Sequence, residues 1–443
     1  MASELIGDST LPVPTADAQR VAGGAWSFEL IFPVGEARRY CLSSSRRVSI
    51  GRDVTADVVI ASHQVSRHHA DIARVRDELW IHDSGSLNGT HVNAERVARH
   101  PLQAGDVVRI GDRLGVIVRD ESKARVSVEL AEIAQGLWAG PVLRAALASA
   151  QQVAQTDLPI VLQGATGTGK ERVARAIHEW SGRAGPFVAI NCAAIPEHLA
   201  EAELFGYKKG AFTGAVNAAI GHLRAAHGGT LLLDEVSDLP LPLQAKLLRV
   251  TEQGEVQPLG EARALPLDVR LVVASQRPLA LEVEAGRFRA DLHARLNGMT
   301  VSLPALSQRR REIPSLFVQL LSQRLGAVPP PLEAPLVERL LLYGWPGNVR
   351  ELDLLARRLL GLHGHERSFC LAHLTGTALE VCEAAELSRD ERDVQALLAG
   401  LRTSHGNLSQ AAALARVSRQ RAYRLLQNHA GLDLEAWRKG AIA

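Results

Sequence analysis

Two stretches of the chain carry residue types and spacings suited to phosphate chemistry. The first, VLQGATGTGKE (161–171), fits GxxxxGK between an apolar run and a helix-prone segment. Backbone N–H groups of such a loop wrap a β-phosphate, helped by the N-terminus of the following helix, and the lysine neutralises β and γ oxygens. Gly164, Thr166, Gly167, Thr168, Gly169 and Lys170 are therefore expected to hold nucleotide phosphates. The next position usually offers a Ser or Thr hydroxyl to magnesium; here it is Glu171, which joins the expected nucleotide-binding set. The second stretch, GGTLLLDEV (228–236), is an apolar strand ending in two carboxylates, 64 residues after Lys170. Asp234 is suited to hold hydrated Mg2+, and Glu235 to orient and deprotonate an attacking water. ATP and Mg2+ are the expected ligands. Alone, a glycine-rich turn or a strand capped by solvated acids is unremarkable; the strand–loop–helix order and the pairing favour the chemical reading.

A third stretch, LFGYKKGAFTGA (204–215), offers no acid, base or nucleophile at its tip. Its last six residues combine two glycines, two alanines, Phe212 and Thr213. With aromatic content of only 4%, one aromatic on a mobile loop reads as an anchor for a partner.

These residues need a frame. The 443 residues suggest about three domains. Hydrophobic content of 46%, charged content of 22% and a formal charge of +2 are ordinary for a soluble protein, so any nucleic-acid site must be a local patch. Apolar runs stop short of the ~20 residues a membrane span needs, and the N-terminus lacks the pattern of a secretory signal. Cys41, Cys192, Cys370 and Cys382 are scattered without a CxxC pair, which fits a reducing compartment and argues against structural zinc. The composition of 1–25 suggests disorder. Over 26–118, short β-like runs separated by turn residues predict an all-β sandwich. Residues 119–136 read as a charged, helix-prone linker. Over 137–378, strands such as LPIVLQG, FVAIN, TLLLDEV and VRLVVAS alternate with helices and predict an α/β unit with a mostly parallel sheet. AVPPPLEAP (327–335) breaks the chain before an all-helical subdomain, and 388–443 is helical and basic at its end.

GATGTGKE, NCAAIPE, ELFGYKKGAFTGA, GGTLLLDEVSDLPLPLQAKLLRV, GRFRADLHARLNGMTVSLPALSQRRREIP and WPGNVREL follow one another in the order of the AAA+ domain of bacterial sigma-54-dependent transcription activators, which 137–378 resembles. The resemblance implies an ATPase that assembles into a ring, expected to be a hexamer, and whose GAFTGA loop touches sigma-54 through Phe212 and Thr213. It further implies that Asn191 is a switch residue hydrogen-bonded to Glu235. Arg289 and Arg295 would reach a neighbouring subunit's γ-phosphate, and Arg350 would contact nucleotide from the helical subdomain. Two departures stand out. The usual sensor ATN reads ASQ, making Gln276 one methylene longer than Asn, and Tyr207 and Lys208 replace the more usual His and Glu before the loop.

SIGRDVTADVVIASHQVSRHHADI and HDSGSLNGTHVN make 26–118 similar to a forkhead-associated (FHA) domain. That implies phosphothreonine binding, with Arg52 and Ser66 on phosphate, Arg67 nearby and Asn88 on the peptide backbone. Guanidinium and hydroxyl donors suit such an anion. His69 is expected to brace the loop, and Leu87 replaces a frequent Thr or Ser. At the other end, SQAAALARVSRQRAYRLLQNHAG (409–431) reads as helix–turn–helix, and 416–443 carries six Lys/Arg against two Asp/Glu. It resembles the Fis-type DNA-binding module, with Arg419 on phosphate and Gln420, Arg421 and Arg424 on bases.

The expectation is thus a multidomain chain: an FHA sandwich, an α/β AAA+ P-loop ATPase with a helical subdomain, and an all-α helix-turn-helix. It would be a cytoplasmic activator that binds upstream DNA as dimers, remodels sigma-54 RNA polymerase, and is gated by a phosphothreonine protein such as a Ser/Thr kinase or its substrate. Two alternatives stay open: an ATP-binding regulator or scaffold without productive turnover, and a remodeller of another protein.

Overall fold

The computed structural model describes residues 25–35, 37–42, 47–75, 78–120, 130–213 and 215–380, and in the C-terminal part 397, 408–415, 417, 421 and 422. The expected disorder of the first residues and most of the expected helix-turn-helix, including Ser418, Arg419, Gln420 and Arg424, lie outside the described residues.

The N-terminal unit is a sandwich of eleven strands: β1 (Ala25–Phe32), β2 (Arg38–Leu42), β3 (Val48–Gly51), β4 (Val58–Val59), β5 (Ala70–Val75), β6 (Glu78–Asp83), β7 (Thr90–Val92), β8 (Glu95–Val97), β9 (Arg99–Leu102), β10 (Val107–Ile110) and β11 (Arg113–Asp120). One sheet runs β2-β1-β11-β10-β7-β8 and the other β4-β3-β5-β6-β9. Alternation places Phe28, Leu30, Val108, Ile110 and Ile117 between the sheets with Ile50, Ile72 and Ile81. The first sheet is apolar on its second face too. Val107, Leu114 and Val116, with Ile31 and Phe32 beyond a register shift in β1, join a core shared with the helical unit. Such two-sided burial is what consecutive apolar residues (Val107–Val108, Val116–Ile117) require of a strand.

Where the sequence suggests a helix-prone linker, β12 (Ala131–Ala134) and β13 (Leu137–Ala139) form a hairpin. It packs on the next unit: Trp180 donates its indole N–H to the Ile133 carbonyl (3.2 Å), and the Gln135 N–H meets Glu179 (3.0 Å). The central unit continues with α1 (Pro141–Gln152), β14 (Ile160–Gln163), α2 (Lys170–Ser181), β15 (Phe187–Asn191), α3 (Glu197–Phe205), α4 (Gly221–Ala225), β16 (Thr230–Asp234), α5 (Leu241–Gln253), β17 (Glu255–Val256), β18 (Leu265–Pro266), β19 (Arg270–Ser275), α6 (Leu279–Glu284), α7 (Ala290–Leu296) and β20 (Met299–Ser302). Its five-stranded parallel sheet runs β15-β16-β19-β14-β20. Leu231–Leu233 and Val272–Ala274 are fully buried because helices cover both faces.

The helical unit starts before the proline run rather than after it. A 3-10 segment (Leu306–Glu312) leads into α8 (Ile313–Leu325), and Pro329–Pro331 separate α8 from α9 (Ala334–Leu342) and α10 (Asn348–His363). Phe317, Leu336, Leu340, Trp345 and Leu352 are buried at its centre. Further on, α11 (Leu408–Leu414) and the helical residues Arg421 and Ala422 fall within the expected helix-turn-helix.

Candidate active site

Parallel strands bring their C-terminal ends to one edge, and the candidate chemistry gathers there. β14 runs into the glycine-rich loop, whose Gly164 N–H bonds the Ser275 carbonyl at the end of β19 (3.2 Å). Gly169 caps α2 at φ 103°, a backbone state that favours glycine. Lys170, the first residue of α2, is 7% exposed. Its ammonium donates to the Gly164 carbonyl (2.9 Å) and stands 3.8 Å from Glu235 Oε1. A buried cation at a helix N-terminus, under a glycine loop, fits a polyphosphate. The Thr168 hydroxyl is turned inward to the Ala165 carbonyl (2.8 Å). Glu171 instead pairs with Arg175 (2.9 Å) on the exposed flank of α2.

Asp234 ends β16, half-buried, and accepts the Glu235 N–H (3.1 Å). Burial pushes its carboxyl above the usual range, with the Lys170 ammonium opposing the shift. Hydrated Mg2+ would favour the ionised form that burial disfavours, so a half-buried carboxylate at this strand end fits that ion. Glu235 is left-handed at φ 53° and ψ 48°, a costly conformation for a non-glycine residue and one frequent at working sites. Cys192 lies in the same region, where burial pushes its thiol up to about 12, with Asp234 adding to the shift.

The contact expected between Asn191 and Glu235 is not formed. The Asn191 side chain accepts the Ala193 N–H (2.9 Å) and caps the turn after β15. Gln276, just beyond the neighbouring strand β19, donates its amide to Glu235 Oε1 instead (2.8 Å). Gln276 makes this contact with the side chain that the sequence showed to be one methylene longer than Asn.

The helical unit closes over the loop, backbone against backbone. The Val349 N–H bonds the Gly167 carbonyl (3.0 Å), and a Cβ added at Gly167 would lie 2.1 Å from the Gly347 carbonyl oxygen. Arg350 follows beside the loop with its side chain exposed. Asn348, which sequence reasoning passed over, does more. It is 3% exposed with φ 52°, its amide donates to the Thr166 carbonyl (2.9 Å), and its oxygen accepts the Leu306 N–H (2.8 Å). An asparagine one residue after glycine in WPGN was the available signal, since asparagine tolerates the left-handed region.

Arg289, at the N-cap of α7, and Arg295, within it, are both exposed. Arg289 forms a two-toothed pair with Asp291 (3.0 and 2.6 Å), and Arg295 donates twice to the Thr251 carbonyl (3.1 and 2.8 Å). Both guanidiniums remain accessible to a second chain.

The 204–215 stretch leaves α3 through Gly206. Tyr207 pairs with both Ala219 and Leu259, Lys208 meets Glu261 (3.6 Å), and the Gly210 N–H bonds the Ala215 carbonyl (2.8 Å). The two replacements before the loop therefore carry anchoring contacts of their own. Phe212 packs its ring against Tyr207 at a tilt of 60° (centroids 5.0 Å apart) yet stays 41% exposed, and Thr213 is exposed beside it.

At one end of the sandwich, Arg52, Arg67 and Asn88 are exposed and Ser66 half-buried. The Ser66 hydroxyl accepts the Leu87 N–H (3.1 Å), and Asn88 donates to the Gln64 carbonyl (2.7 Å), tying the loops together. His69 is fully buried beneath them. Its Nδ1 accepts the Ser66 N–H (3.1 Å), which makes Nε2 the donor to the Gly89 carbonyl (3.2 Å). Burial holds its pKa below the usual histidine value.

Comparison with known proteins matches these units one by one. The sigma-54 interaction domain family matches residues 138–302, the FHA domain family 48–111, and the AAA+ ATPase lid domain family 307–386. The chain is 50% identical over 217 residues to the sigma54-dependent transcriptional activator SfnR of Pseudomonas putida, covering 48% of this chain and 59% of that protein. It is 40% identical over 298 residues to the transcriptional regulatory protein GlrR of Escherichia coli K12, covering 65% and 66%. It is also 47% identical over 216 residues to the pathogenicity locus probable regulatory protein WtsA of Pantoea stewartii subsp. stewartii, covering 48% and 67%. The chain spans 59% and 66% of the first two of these relatives. With its glycine loop, paired acids and exposed aromatic loop set in one parallel-sheet unit, this chain belongs to the family of sigma-54 interaction domain proteins, in which it carries an FHA domain and an AAA+ lid.

Proposed function

We propose that this chain is an ATP-hydrolysing transcriptional activator that acts on sigma-54 RNA polymerase. The observation that carries the reading is the pairing of two features in one unit. Lys170, Asp234 and Glu235 converge at the sheet edge, and Phe212 stands exposed on the loop between α3 and α4. Lys170 and the loop N–H groups would bind the phosphates of ATP, and Asp234 would hold Mg2+. Glu235 would take the proton of the attacking water. Arg289 and Arg295 would complete a neighbouring subunit's site, so turnover would require assembly into a ring, expected to be a hexamer. Phe212 and Thr213 would contact sigma-54 and transmit the nucleotide state.

On this reading the FHA domain binds a phosphothreonine protein, a Ser/Thr kinase or its substrate, through Arg52, Ser66, Arg67 and Asn88. The C-terminal helices bind upstream DNA as a dimer through Arg419, Gln420, Arg421 and Arg424. Among the described residues no helix is long and apolar enough to cross a membrane. The test is ATPase rate against protein concentration, with and without a phosphothreonine peptide and sigma-54. Turnover that rises more steeply than linearly with concentration, together with sigma-54 capture in the ATP state, supports the proposal. One observation favours the rival of an ATP-binding regulator without turnover: Gln276 and Lys170 both occupy the same oxygen of Glu235. Absence of any hydrolysis at saturating ATP would decide for that rival.

A further inference from the structure

On the outer face of the sheet containing β10 and β11, two charged residues amid the apolar ones, Glu29 and Arg109, are engaged by the lid. Glu29 of β1 is fully buried and meets Arg311 (2.6 Å) as well as Arg39 (3.1 Å). The lid answers in kind. Glu338 of α9, 2% exposed, accepts Arg109 Nε (2.6 Å) with one oxygen and the Ala94 N–H (3.0 Å) with the other. Ala94 sits in the two-residue turn between β7 and β8, where Asn93 and Ala94 both take positive φ (50° and 69°). A left-handed alanine is a strained residue, and the buried carboxylate holds it.

The position of this grip matters. β7 runs from Thr90 to Val92, with Asn88 and Gly89 just before it and the gripped turn just after. β10 carries Arg109 and ends at Ile110, beside Gly111 and Asp112. A Cβ at Gly111 would lie 2.6 Å from the Gln64 carbonyl that Asn88 bonds, and Asp112 accepts the Ser62 hydroxyl (2.6 Å). The candidate ligand loops and the Glu338 grip thus share the same two short strands: they lie at opposite ends of β7, and on β10 Arg109 is next to Ile110, the residue that leads into Gly111 and Asp112. On the lid side, α9 leads through Trp345 to Gly347, Asn348 and Val349, which touch Thr166 and Gly167 of the phosphate loop. A second branch reaches the same point: the Leu306–Glu312 segment carries Arg311 to Glu29 and is tied to Asn348 through the Leu306 N–H.

We propose that the sandwich and lid move as one body, and that Glu338 is the positioning residue through which the state of the nucleotide loop and the state of the FHA ligand loops are coupled. The proposal rests on the reading of 164–170 as a nucleotide site. Linkage makes the coupling reciprocal: whatever nucleotide does to β7 and β10, a ligand there does to nucleotide affinity.

The test needs no phosphopeptide, so a failure to bind one would count against the FHA reading alone. Hydrogen exchange of the full chain is followed with and without saturating ADP, and ADP binding is titrated in the same samples. In the unmodified chain, exchange across 90–110 should slow at least about fivefold on ADP binding, the lower end of usual coupling. Glu338→Ala should bind ADP and lose that response. Glu338→Gln, which keeps an acceptor for Ala94 but not the charge opposite Arg109, should show a reduced response and serves if the alanine variant does not fold. Unchanged exchange at 90–110 in the unmodified chain despite measured ADP binding overturns the coupling. So does a full response in both Glu338 variants. A chain that does not bind ADP overturns the nucleotide reading with it, and the titration shows which has failed.

Discussion

Replacing Gln276 with Asn removes one methylene from the only side chain outside the phosphate loop seen to hydrogen-bond Glu235 among the described residues. Its amide donates at 2.8 Å, and shortening the side chain by one C–C bond of about 1.5 Å would leave the groups about 4.3 Å apart, too far for a hydrogen bond. A hydrogen bond to a charged group contributes about 1.5–3 kcal/mol. Gln276 is exposed, so water competes and the lower end applies. Lys170 also faces Glu235, at 3.8 Å. With Lys170 engaged by phosphates, as proposed, Gln276 would be the side-chain donor left on this carboxylate among the described residues. Loss of about 1.5 kcal/mol of orientation corresponds to about a tenfold fall in kcat. ATP affinity should change less than about twofold, because the loss concerns only the group acting on water. Gln276→Ala should match Gln276→Asn, and Asn191→Ala, which breaks a local cap rather than the Glu235 contact, should lower kcat less than either. Steady-state ATPase kinetics with a separate nucleotide titration provide the readout. A rise in turnover for Gln276→Asn would show that the amide is a brake, and an Asn191→Ala defect larger than that of Gln276→Ala would refute the reassignment.

Other consequences are directly measurable. Phe212→Ala should leave ATP hydrolysis near normal and weaken sigma-54 binding at least tenfold, since losing an aromatic anchor costs about 2 kcal/mol or more; Phe212→Tyr should be milder, and unchanged binding by the alanine variant would remove the loop's proposed role. Arg52→Ala should abolish phosphothreonine-peptide binding in calorimetry while basal ATPase persists, and equal affinity of the unmodified chain for plain and phosphorylated peptide would count against the site itself. His69 gives a pH dependence with a definite sign. Its folded pKa is depressed, so the neutral ring stabilises the sandwich above the unfolded value of about 6.5, and that stability is lost as pH falls below it. Protonation would also cost Nδ1 its bond from Ser66. The melting temperature should therefore drop from pH 7 to pH 5, and a His69→Gln chain, already less stable, should drop less over that range.

Much of this was legible in the sequence because the signals are local. The glycine loop, the DE pair ending an apolar strand and the aromatic loop each occupy a dozen residues or fewer and keep their meaning wherever the sheet places them. The alternation over 26–118 likewise predicts a sandwich. Contacts between segments were harder to read. Whether Asn191 or Gln276 meets Glu235 depends on how far each neighbouring strand end lies from β16, and a local cap had already claimed Asn191. The hairpin at 131–139 is short, and its neighbouring charged residues obscured it. The lid's true start was hidden because a proline run resembles a boundary, although it only separates two helices of one unit. The two-sided apolar character of DVVRI and LGVIV was in plain view, but it reveals only that something covers the sheet, not which element does so.

The double-faced sheet bears on how such chains can be recombined. A sandwich cut away at 120 would turn Phe32, Val107, Leu114 and Val116 out to water, together with a buried glutamate stripped of one of its two arginines. Contiguous apolar surface of that kind is an aggregation liability. Transplanting this sandwich onto another AAA+ unit should therefore succeed only where the recipient's α9 equivalent supplies both an apolar floor and an acid at the place of Glu338. The boundary useful to gene fusion lies past the lid, so sandwich and lid would be inherited together.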